Sequence, residues 1–252
     1  MRKVIAMIPA HLQSSRFPDK LIYPILGHPL IAHTVMSAVD SGLFDDVIVA
    51  TNSDTIGELA AMHRATVIKS VKKHETGSDR IAEAAQILGL HKDDIIVNIQ
   101  GDQPYFSTSL IKNMIADLIP SSDHDYPVST AACKLQNGDM DSHNSVKVIV
   151  SNLDRRALKF TRQNGQIDDS TSACFKHIGL YAFRSQALLD FASMDKTPNE
   201  NKEKLEQLRL VDNGVPIRVS LSDCVLLDVN AIEDVKPVES ALQMFLLSGH
   251  KP

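Results

Sequence analysis

Two cations lie in a long polar segment directly after the first apolar run of the chain, Lys3–Ile8. The segment extends from Pro9 to Lys20 and contains Arg16, two serines and two prolines. A guanidinium offers planar donors to phosphate, and an ammonium offers a compact charge. The segment lacks GxGxxG and GxxxxGK[ST], whose glycines allow close backbone approach to phosphates in dehydrogenases and P-loop NTPases. It therefore favours either anion recognition through side chains or a solvated surface loop.

Carboxylates follow two later apolar runs. Asp102 comes after the run Asp94–Gln100, and Asp228 closes the run Cys224–Leu227. Mg²⁺ usually takes one or two protein carboxylates together with phosphate oxygens and water, so two carboxylates at strand ends could share one metal ion. The alternatives are a turn for Asp102, whose side chain would bond its own backbone, and an N-cap of the last helix for Asp228.

Three further segments carry polar groups at informative spacing. His74–Arg80 opens a predicted helix, and its backbone N–H groups suit an anion or a ribose, although simple capping is the alternative. A strand places His177, Gly179 and Tyr181 on one face, where a structural histidine is the alternative to a ligand contact. Glu203–Arg209 has the periodicity of an ordinary solvated helix face. The ten histidines form no HExxH motif and no zinc spacing.

The elements that must position these groups alternate along the chain. Apolar runs of strand length predict strands over Lys3–Ile8, Asp46–Thr51, Asp94–Gln100, Val128–Cys133, Val146–Val150, His177–Phe183, Ile217–Leu221 and Cys224–Val229. Helical spacing predicts helices over Ile31–Gly42, Asp54–Arg64, Ser78–Gly89, Ser109–Leu118, Gln186–Ser193, Asn201–Asn213 and Ala231–Leu247. Asp54 and Ser78 are the predicted N-caps of two of these helices, and Gly42 and Gly89 the predicted C-cap glycines. Such alternation predicts an α/β fold with a mostly parallel sheet, whose ligands bind beyond the carboxyl ends of the strands.

Composition narrows the class of protein. The chain has 252 residues and a net charge of -5, which argues against binding to polymeric nucleic acid or to anionic membranes. Three widely separated cysteines, Cys133, Cys174 and Cys224, argue against a disulfide scaffold. No apolar stretch reaches membrane-spanning length, so we expect a soluble, cytoplasmic protein. No linker divides the chain, which predicts one domain over 1–252, with a possible lobe near 130–180.

Several motifs match one known family in the correct order. They are IPAHLQSSRFPDKLI, GHPLIAHT, DVIVATNSD, HETGSDRIAEA, DDIIVNIQGDQP, NSVKVIV, KHIGLYAF, EKLEQLRLV and LLDVNAIEDV. With these motifs the sequence resembles the 3-deoxy-manno-octulosonate cytidylyltransferases, also called CMP-Kdo synthetases, over nearly the whole chain. QGDxP, HIGLY and LEQLR are the most specific of them.

The resemblance implies a fold, a reaction and partners. The fold would be a Rossmann-like nucleotidyltransferase fold with helices on both faces of the sheet and a small inserted lobe for dimerisation and sugar binding. The reaction would convert CTP and the sugar acid Kdo to CMP-Kdo and pyrophosphate, for the inner core of lipopolysaccharide. Mg²⁺ would be required, and the usual state would be a homodimer.

The resemblance also implies roles for individual residues. Catalysis would fall to Arg16, Lys20, Asp102 and Asp228, of which Asp102 and Asp228 match the metal carboxylates. Nucleotide binding would fall to Ala10, Ser15, Arg16, Lys20, Gly77 and Ser78. The sugar acid would be bound by Arg80, Gln100, His177, Tyr181, Glu206 and Gln207.

The sequence departs from the family pattern at several positions. His11 stands where the family usually has Arg, and Asp19 stands where it usually has Gly. The residues around Asp228 read Leu-Leu-Asp-Val-Asn instead of Gly-Val-Asp-Thr-Pro, and Gln163–Ser172 lacks the usual Ile-Pro-Trp. Two alternatives therefore stay open: a cytidylyltransferase for a related acid, such as 8-amino-Kdo or a nonulosonic acid, and a nucleotide-sugar-binding protein with impaired catalysis. A nicotinamide dehydrogenase fits only the strand–helix alternation, because the required glycines are missing.

Overall fold

The computed structural model describes residues 2–14, 16–122, 124–164, 170–223 and 227–247. Within them the strands are β1 (Val4–Ala10), β2 (Pro24–Ile25), β3 (His28–Pro29), β4 (Asp46–Thr51), β5 (Thr66–Lys69), β6 (Ile95–Asn98), β7 (Val128–Cys133), β8 (Lys147–Ser151), β9 (Ala157–Thr161), β10 (Ser172–Arg184) and β11 (Ile217–Ser222). The α-helices are α1 (Leu30–Asp40), α2 (Asp54–Met62), α3 (Gly77–Leu88), α4 (Thr108–Asp117), α5 (Ser185–Ser193), α6 (Pro198–Glu203), α7 (Leu208–Asp212) and α8 (Val235–Leu247). Short 3₁₀ turns cover Lys20–Ile22 and Ile232–Asp234.

The central sheet has the order β11-β7-β10-β6-β1-β4-β5. Neighbouring strands are parallel except around β10, which runs antiparallel to both β6 and β7. The predicted α/β fold with a mostly parallel sheet is confirmed. In the described part of the chain no helix is long and apolar enough to cross a lipid bilayer.

Strand β1 shows why helices cover both faces of this sheet. Its side chains alternate, so Ala6 and Ile8 join one apolar cluster while Ile5 and Met7 join another. The first cluster includes buried residues of α1, α2, α4 and α8, and the second includes buried residues of α3, α5 and α7. A strand buried on both sides is apolar throughout, which is the pattern that identifies it in the sequence.

An antiparallel extension leaves the main path of the sheet. The 13-residue strand β10 pairs with β8 through its first half, and β8 pairs in turn with β9. The extension lies within the segment predicted to form a lobe. A role of this extension in dimerisation remains a prediction. The single-domain organisation of the chain also remains a prediction.

The structure corrects several predicted elements. Strand β4 has the predicted bounds, but β1 continues through Pro9 to Ala10, and the short strands β5 and β9 were not predicted. The helices α2 and α3 are capped by the side chains of Ser53 and Thr76, not by Asp54 and Ser78, which lie inside the first turn. The predicted left-handed glycines after α1 and α3 are confirmed, with φ of 63° at Gly42 and 60° at Gly89.

Two further predicted elements differ from the structure. Of the strand predicted over Cys224–Val229, residues 227–229 form one bridge, between Leu227 and Tyr105, and residues 224–226 lie outside the described residues. The helix predicted over Asn201–Asn213 is two helices, α6 and α7, because Lys204 adopts the left-handed conformation with φ of 56°. Of the four residues between the two helices, Leu205 and Gln207 are buried, so the segment does not continue a solvated helix face.

Candidate active site

A cavity of about 570 Å³ lies where β5 leads into α3 and β6 ends. It is called the larger cavity below, because a second, smaller one adjoins it. It brings together six of the residues singled out from the sequence, namely Gly77, Gln100, His177, Tyr181, Glu206 and Gln207. Close packing favours Gly77, since a Cβ there would stand 3.1 Å from the Pro9 ring and 3.4 Å from the Gln100 side chain. The break between α6 and α7 is what delivers Glu206 and Gln207 to this cavity.

Glu206 is one of three glutamates that line the larger cavity, with Glu75 and Glu200. Its carboxyl accepts a hydrogen bond of 2.8 Å from the Ser78 hydroxyl, and burial raises its pKa. Burial, and then the neighbouring Glu206, raise the pKa of Tyr181 well above its ordinary value, so its phenol stays protonated. Ser78 itself is only 1% exposed and lies behind Glu206, so the structure does not bring its side chain to the cavity surface.

His177 lies at the boundary of this cavity and a second one. Its Nε2 is 2.9 Å from the buried Thr130 hydroxyl, and its ring packs edge-on against Phe160. Burial lowers the pKa of His177 to about 3, so the imidazole is neutral at physiological pH. A neutral imidazole can donate and accept hydrogen bonds but carries no charge for an anion.

The second cavity, the smaller cavity, has a volume of about 340 Å³ and shares Gln100, Val146, His177 and Gly179 with the larger one. Asp102 and Asp228 both line it. Burial raises the pKa of Asp228, and the negative charge of Asp102 raises it further. A carboxylate whose ionisation is disfavoured by a neighbouring carboxylate is stabilised in its charged form by a cation.

The two carboxylates do not have the alternative roles considered from the sequence. Asp102 accepts a short hydrogen bond from the Lys20 ammonium rather than from its own turn. Asp228 is not an N-cap, since Asp234 accepts the backbone N–H groups of Asn230 and Ala231 at 2.8 Å each. Asp228 instead accepts a short hydrogen bond from the Asn230 amide.

The polar segment after β1 approaches the smaller cavity from the other side. Besides Asp102, the Lys20 ammonium reaches the Val229 carbonyl at 3.1 Å. Arg16 is exposed and donates to the Asn230 side chain at 3.0 Å. Ala10 is 1% exposed and lines neither cavity, and Ser15 lies outside the described residues.

Arg80 supplies a buried cation with spare hydrogen-bonding capacity. The residue is only 6% exposed, and its Nη1 has no partner among the described residues. Burial lowers the pKa of Arg80, while the charge of Glu83 opposes this shift. The pKa of His11 is lowered by burial and then by the charge of Arg80. A buried donor without a partner is costly unless a ligand satisfies it.

Some residues around the cavities were not found from the sequence. The larger cavity is also lined by Lys196 and Lys204, and the smaller one by Lys176. Lys176 and Lys204 lie in the motifs KHIGLYAF and EKLEQLRLV, so the resemblance gives a signal for both. The fully buried Lys147, whose ammonium donates to the carbonyls of residues 142, 145 and 162, lies in NSVKVIV. Lys196 and Thr130 lie in none of the motifs.

Comparison with known proteins assigns the family. A family model described as cytidylyltransferase matches residues 5–218, which is most of the chain. The chain belongs to the cytidylyltransferase family. The match covers the segment after β1, Asp102 and the residues of both cavities apart from Asp228 and Asn230.

Individual relatives of this cytidylyltransferase match over nearly their full length. A 3-deoxy-manno-octulosonate cytidylyltransferase of Flavobacterium johnsoniae is 37% identical over 248 residues, covering 96% of this chain and 99% of that protein. One of Geobacter metallireducens, with the same name, is 36% identical over 257 residues, with coverage of 96% and 99%. A solved structure of CMP:2-keto-3-deoxy-manno-octonic acid synthetase complexed with CTP is similar with a TM-score of 0.85, 27% identity and coverage of 96% and 99%.

Proposed function

We propose that this cytidylyltransferase transfers CMP from CTP to the anomeric hydroxyl of 3-deoxy-manno-octulosonate and releases pyrophosphate. The observation that carries the proposal is the larger cavity, in which Gln100, His177, Tyr181, Glu206 and Gln207 converge beside the Asp102–Asp228 pair. The near-full-length relatives with this activity in their names support the same substrate pair.

The reaction is an in-line displacement at the α-phosphorus. The anomeric oxygen forms a bond to phosphorus, the bond to pyrophosphate breaks, and the hydroxyl proton is released. Both substrates are anions, so the enzyme must position them and neutralise charge. Lys20 and Arg16 stabilise the triphosphate and then the departing pyrophosphate, while the unpartnered Nη1 of Arg80 offers a donor to an anionic group.

The Asp102–Asp228 pair fits a divalent cation. The effect of Asp102 on the ionisation of Asp228 favours a positive charge between the two groups. No set of three or more possible ligands occurs in the described part of the chain, so two carboxylates would hold Mg²⁺ and phosphate oxygens would complete its coordination. When bound, Mg²⁺ supplies charge stabilisation at the phosphates.

Several residues bring uncharged hydrogen-bonding groups to the larger cavity, beside the lysines and glutamates of its lining: Gln100, His177, Tyr181 and Gln207. Tyr181 stays protonated as a donor, and His177 stays neutral. The raised pKa of Glu206 allows its carboxyl to donate as well as accept. These groups suit the hydroxyls of a sugar, which we propose to lie against them.

One assay tests the activity and its alternatives. Pyrophosphate release from CTP is measured with a panel of 3-deoxy sugar acids, with and without Mg²⁺. The proposal expects release with 3-deoxy-manno-octulosonate and Mg²⁺. Preference for 8-amino-Kdo or a nonulosonic acid contradicts the choice of sugar, and CTP binding without release with any acid indicates a binding protein.

Replacing either cation of the segment after β1 by Ala is expected to weaken CTP binding. Lys20→Ala should have the larger effect, because Lys20 is mostly buried whereas Arg16 is exposed and screened by solvent. Calorimetric titration with CTP measures both affinities, with the exposed Arg64→Ala as control. Unchanged affinity in both variants contradicts the assignment of this segment to the nucleotide.

Asp19 offers a test of the departure from the family pattern. It adopts the left-handed conformation, with φ of 56° and ψ of 21°, which explains why the family usually has Gly at this position. Asp tolerates this conformation better than most residues, but its charge stands beside the triphosphate segment. Asp19→Asn keeps the tolerance and removes the charge, so we expect CTP to bind several-fold more tightly by calorimetry. Asp19→Gly is the matched variant, and equal or weaker CTP binding in both contradicts an effect of the charge.

The proposal also covers the pathway that uses the product and the oligomeric state of the enzyme. CMP-Kdo formed here would supply lipopolysaccharide biosynthesis, and the enzyme would act as a homodimer. Sedimentation of the purified chain over a range of concentrations tests the dimer.

A further inference from the structure

Strand β10 carries an irregularity beside the larger cavity. Ile178 pairs with Ala131 and Tyr181 with Thr130, so Gly179 and Leu180 are extra residues relative to β7. Thr130 is fully buried, and its hydroxyl donates to the Leu180 carbonyl at 2.8 Å. Thr130 on β7 therefore stabilises the bulge of β10 by a hydrogen bond.

The same hydroxyl determines which nitrogen of His177 carries the proton. Thr130 Oγ1 lies 2.9 Å from His177 Nε2 and has a single proton, which the Leu180 carbonyl requires because a carbonyl can only accept. The hydroxyl oxygen must then accept from His177, so Nε2 bears the hydrogen. In the neutral ring Nδ1 is consequently an acceptor, and none of the described residues bonds to it.

The ring has little freedom to adopt another arrangement. Phe160 contacts it edge-on at a centroid distance of 5.0 Å, and Tyr181 lies at 5.5 Å with a 53° angle between the planes. His177 lines both cavities, and its Nδ1 is not among the buried atoms that lack a partner. The acceptor is therefore accessible to a ligand in the cavity.

We propose that Thr130 is a positioning residue that holds His177 as the Nε2–H tautomer, so that Nδ1 accepts a hydrogen bond from a hydroxyl of the bound sugar acid. The identity of this ligand rests on the proposed function, whereas the tautomer does not. The burial that keeps the imidazole neutral also makes it a weak base, so His177 orients the sugar and does not remove its proton.

The tautomer is measured first, by two-dimensional ¹⁵N NMR of the histidine ring nitrogens in the unliganded protein. His177 signals are assigned by their loss in His177→Gln. The wild-type protein is expected to show a protonated Nε2 and an unprotonated Nδ1. A protonated Nδ1 overturns the proposal, whether or not any sugar is a substrate.

The kinetic consequence is measured with a matched pair of variants. Thr130→Val keeps the shape and removes the hydroxyl, while Thr130→Ser retains it. We expect Thr130→Val to raise KM for the sugar acid about tenfold, the effect of one hydrogen bond, with KM for CTP unchanged. Thr130→Ser is expected to keep both the wild-type tautomer and the wild-type KM for the sugar.

The outcomes separate this proposal from the proposed function. An unchanged sugar KM in Thr130→Val, or an equal rise in both KM values, overturns the positioning role. If Thr130→Val does not fold, loss of the Nε2–H tautomer or a raised sugar KM in the folded Thr130→Ser overturns it instead. Failure of the wild-type protein to use any sugar acid contradicts the proposed function and leaves the NMR result to decide the tautomer.

Discussion

Asp102→Asn is expected to lower kcat more than about 100-fold, the scale of removing one electrostatic stabiliser from a catalytic site. The substitution keeps the size of the side chain and removes its charge. Asp102 lines the smaller cavity together with Asp228 and accepts a hydrogen bond from the Lys20 ammonium, so the change removes half of the carboxylate pair and leaves Lys20 without its counter-ion. Turnover is measured at saturating CTP, sugar acid and Mg²⁺.

Asp19→Asn is the control for this experiment. It makes the same chemical change one residue before Lys20, at an exposed side chain outside both cavities. Near-normal turnover of Asp102→Asn at saturating Mg²⁺ contradicts the role of the carboxylate pair. An equal loss in both variants points to a general effect of charge near the triphosphate instead.

Arg209→Met is expected to lower the free energy of unfolding by about 3–5 kcal/mol, the range for removing one partner of a buried ion pair. Arg209 donates to both carboxylate oxygens of Glu200, at 2.9 and 2.6 Å, and its side chain is 3% exposed. Its guanidinium also lies 4.2 Å from the centre of the Phe191 ring. The substitution leaves the Glu200 carboxylate buried without a counter-ion. Urea unfolding measures the change.

Arg64→Met is the matched control. Arg64 pairs with Asp40 at 3.2 Å, but the two side chains are 76% and 46% exposed, so we expect a loss below about 1 kcal/mol. Adding Glu200→Leu to Arg209→Met should recover part of the stability, because the uncompensated charge is then gone. Similar small losses for Arg209→Met and Arg64→Met contradict the importance of the buried pair.

The correctly predicted parts of the fold are the elements that the local pattern of apolar residues determines. The run Asp46–Thr51 is apolar enough to be buried on both faces, and β4 has those bounds. Strands β5 and β9 were missed because one has four residues and the other contains exposed positions at Leu158 and Lys159. The break at Lys204 has no signal in the charge periodicity, since the buried contact between Arg209 and Glu200 that accompanies it is tertiary.

The candidate site was predicted unevenly for a similar reason. Lys20 and Asp102 could be found from the residues alone. Both lie in segments that follow predicted strands, and parallel strands end at one edge of a sheet. His177 and Glu206 have a more probable structural interpretation when taken singly, and only the family resemblance groups them. Thr130 could not be found, since a threonine within a strand is ordinary and its contact with His177 depends on the bulge in β10.

The turn between α6 and α7 makes this region sensitive to insertions and deletions. Arg209 follows Glu200 by nine positions, and the left-handed Lys204 between them ends α6. One residue more or less in this turn would shift α7 relative to α6 and change where its side chains lie. Arg209 would then leave Glu200, and Glu206 would leave the cavity. Functional variants of this enzyme should therefore keep the length of this segment fixed even where its side chains vary.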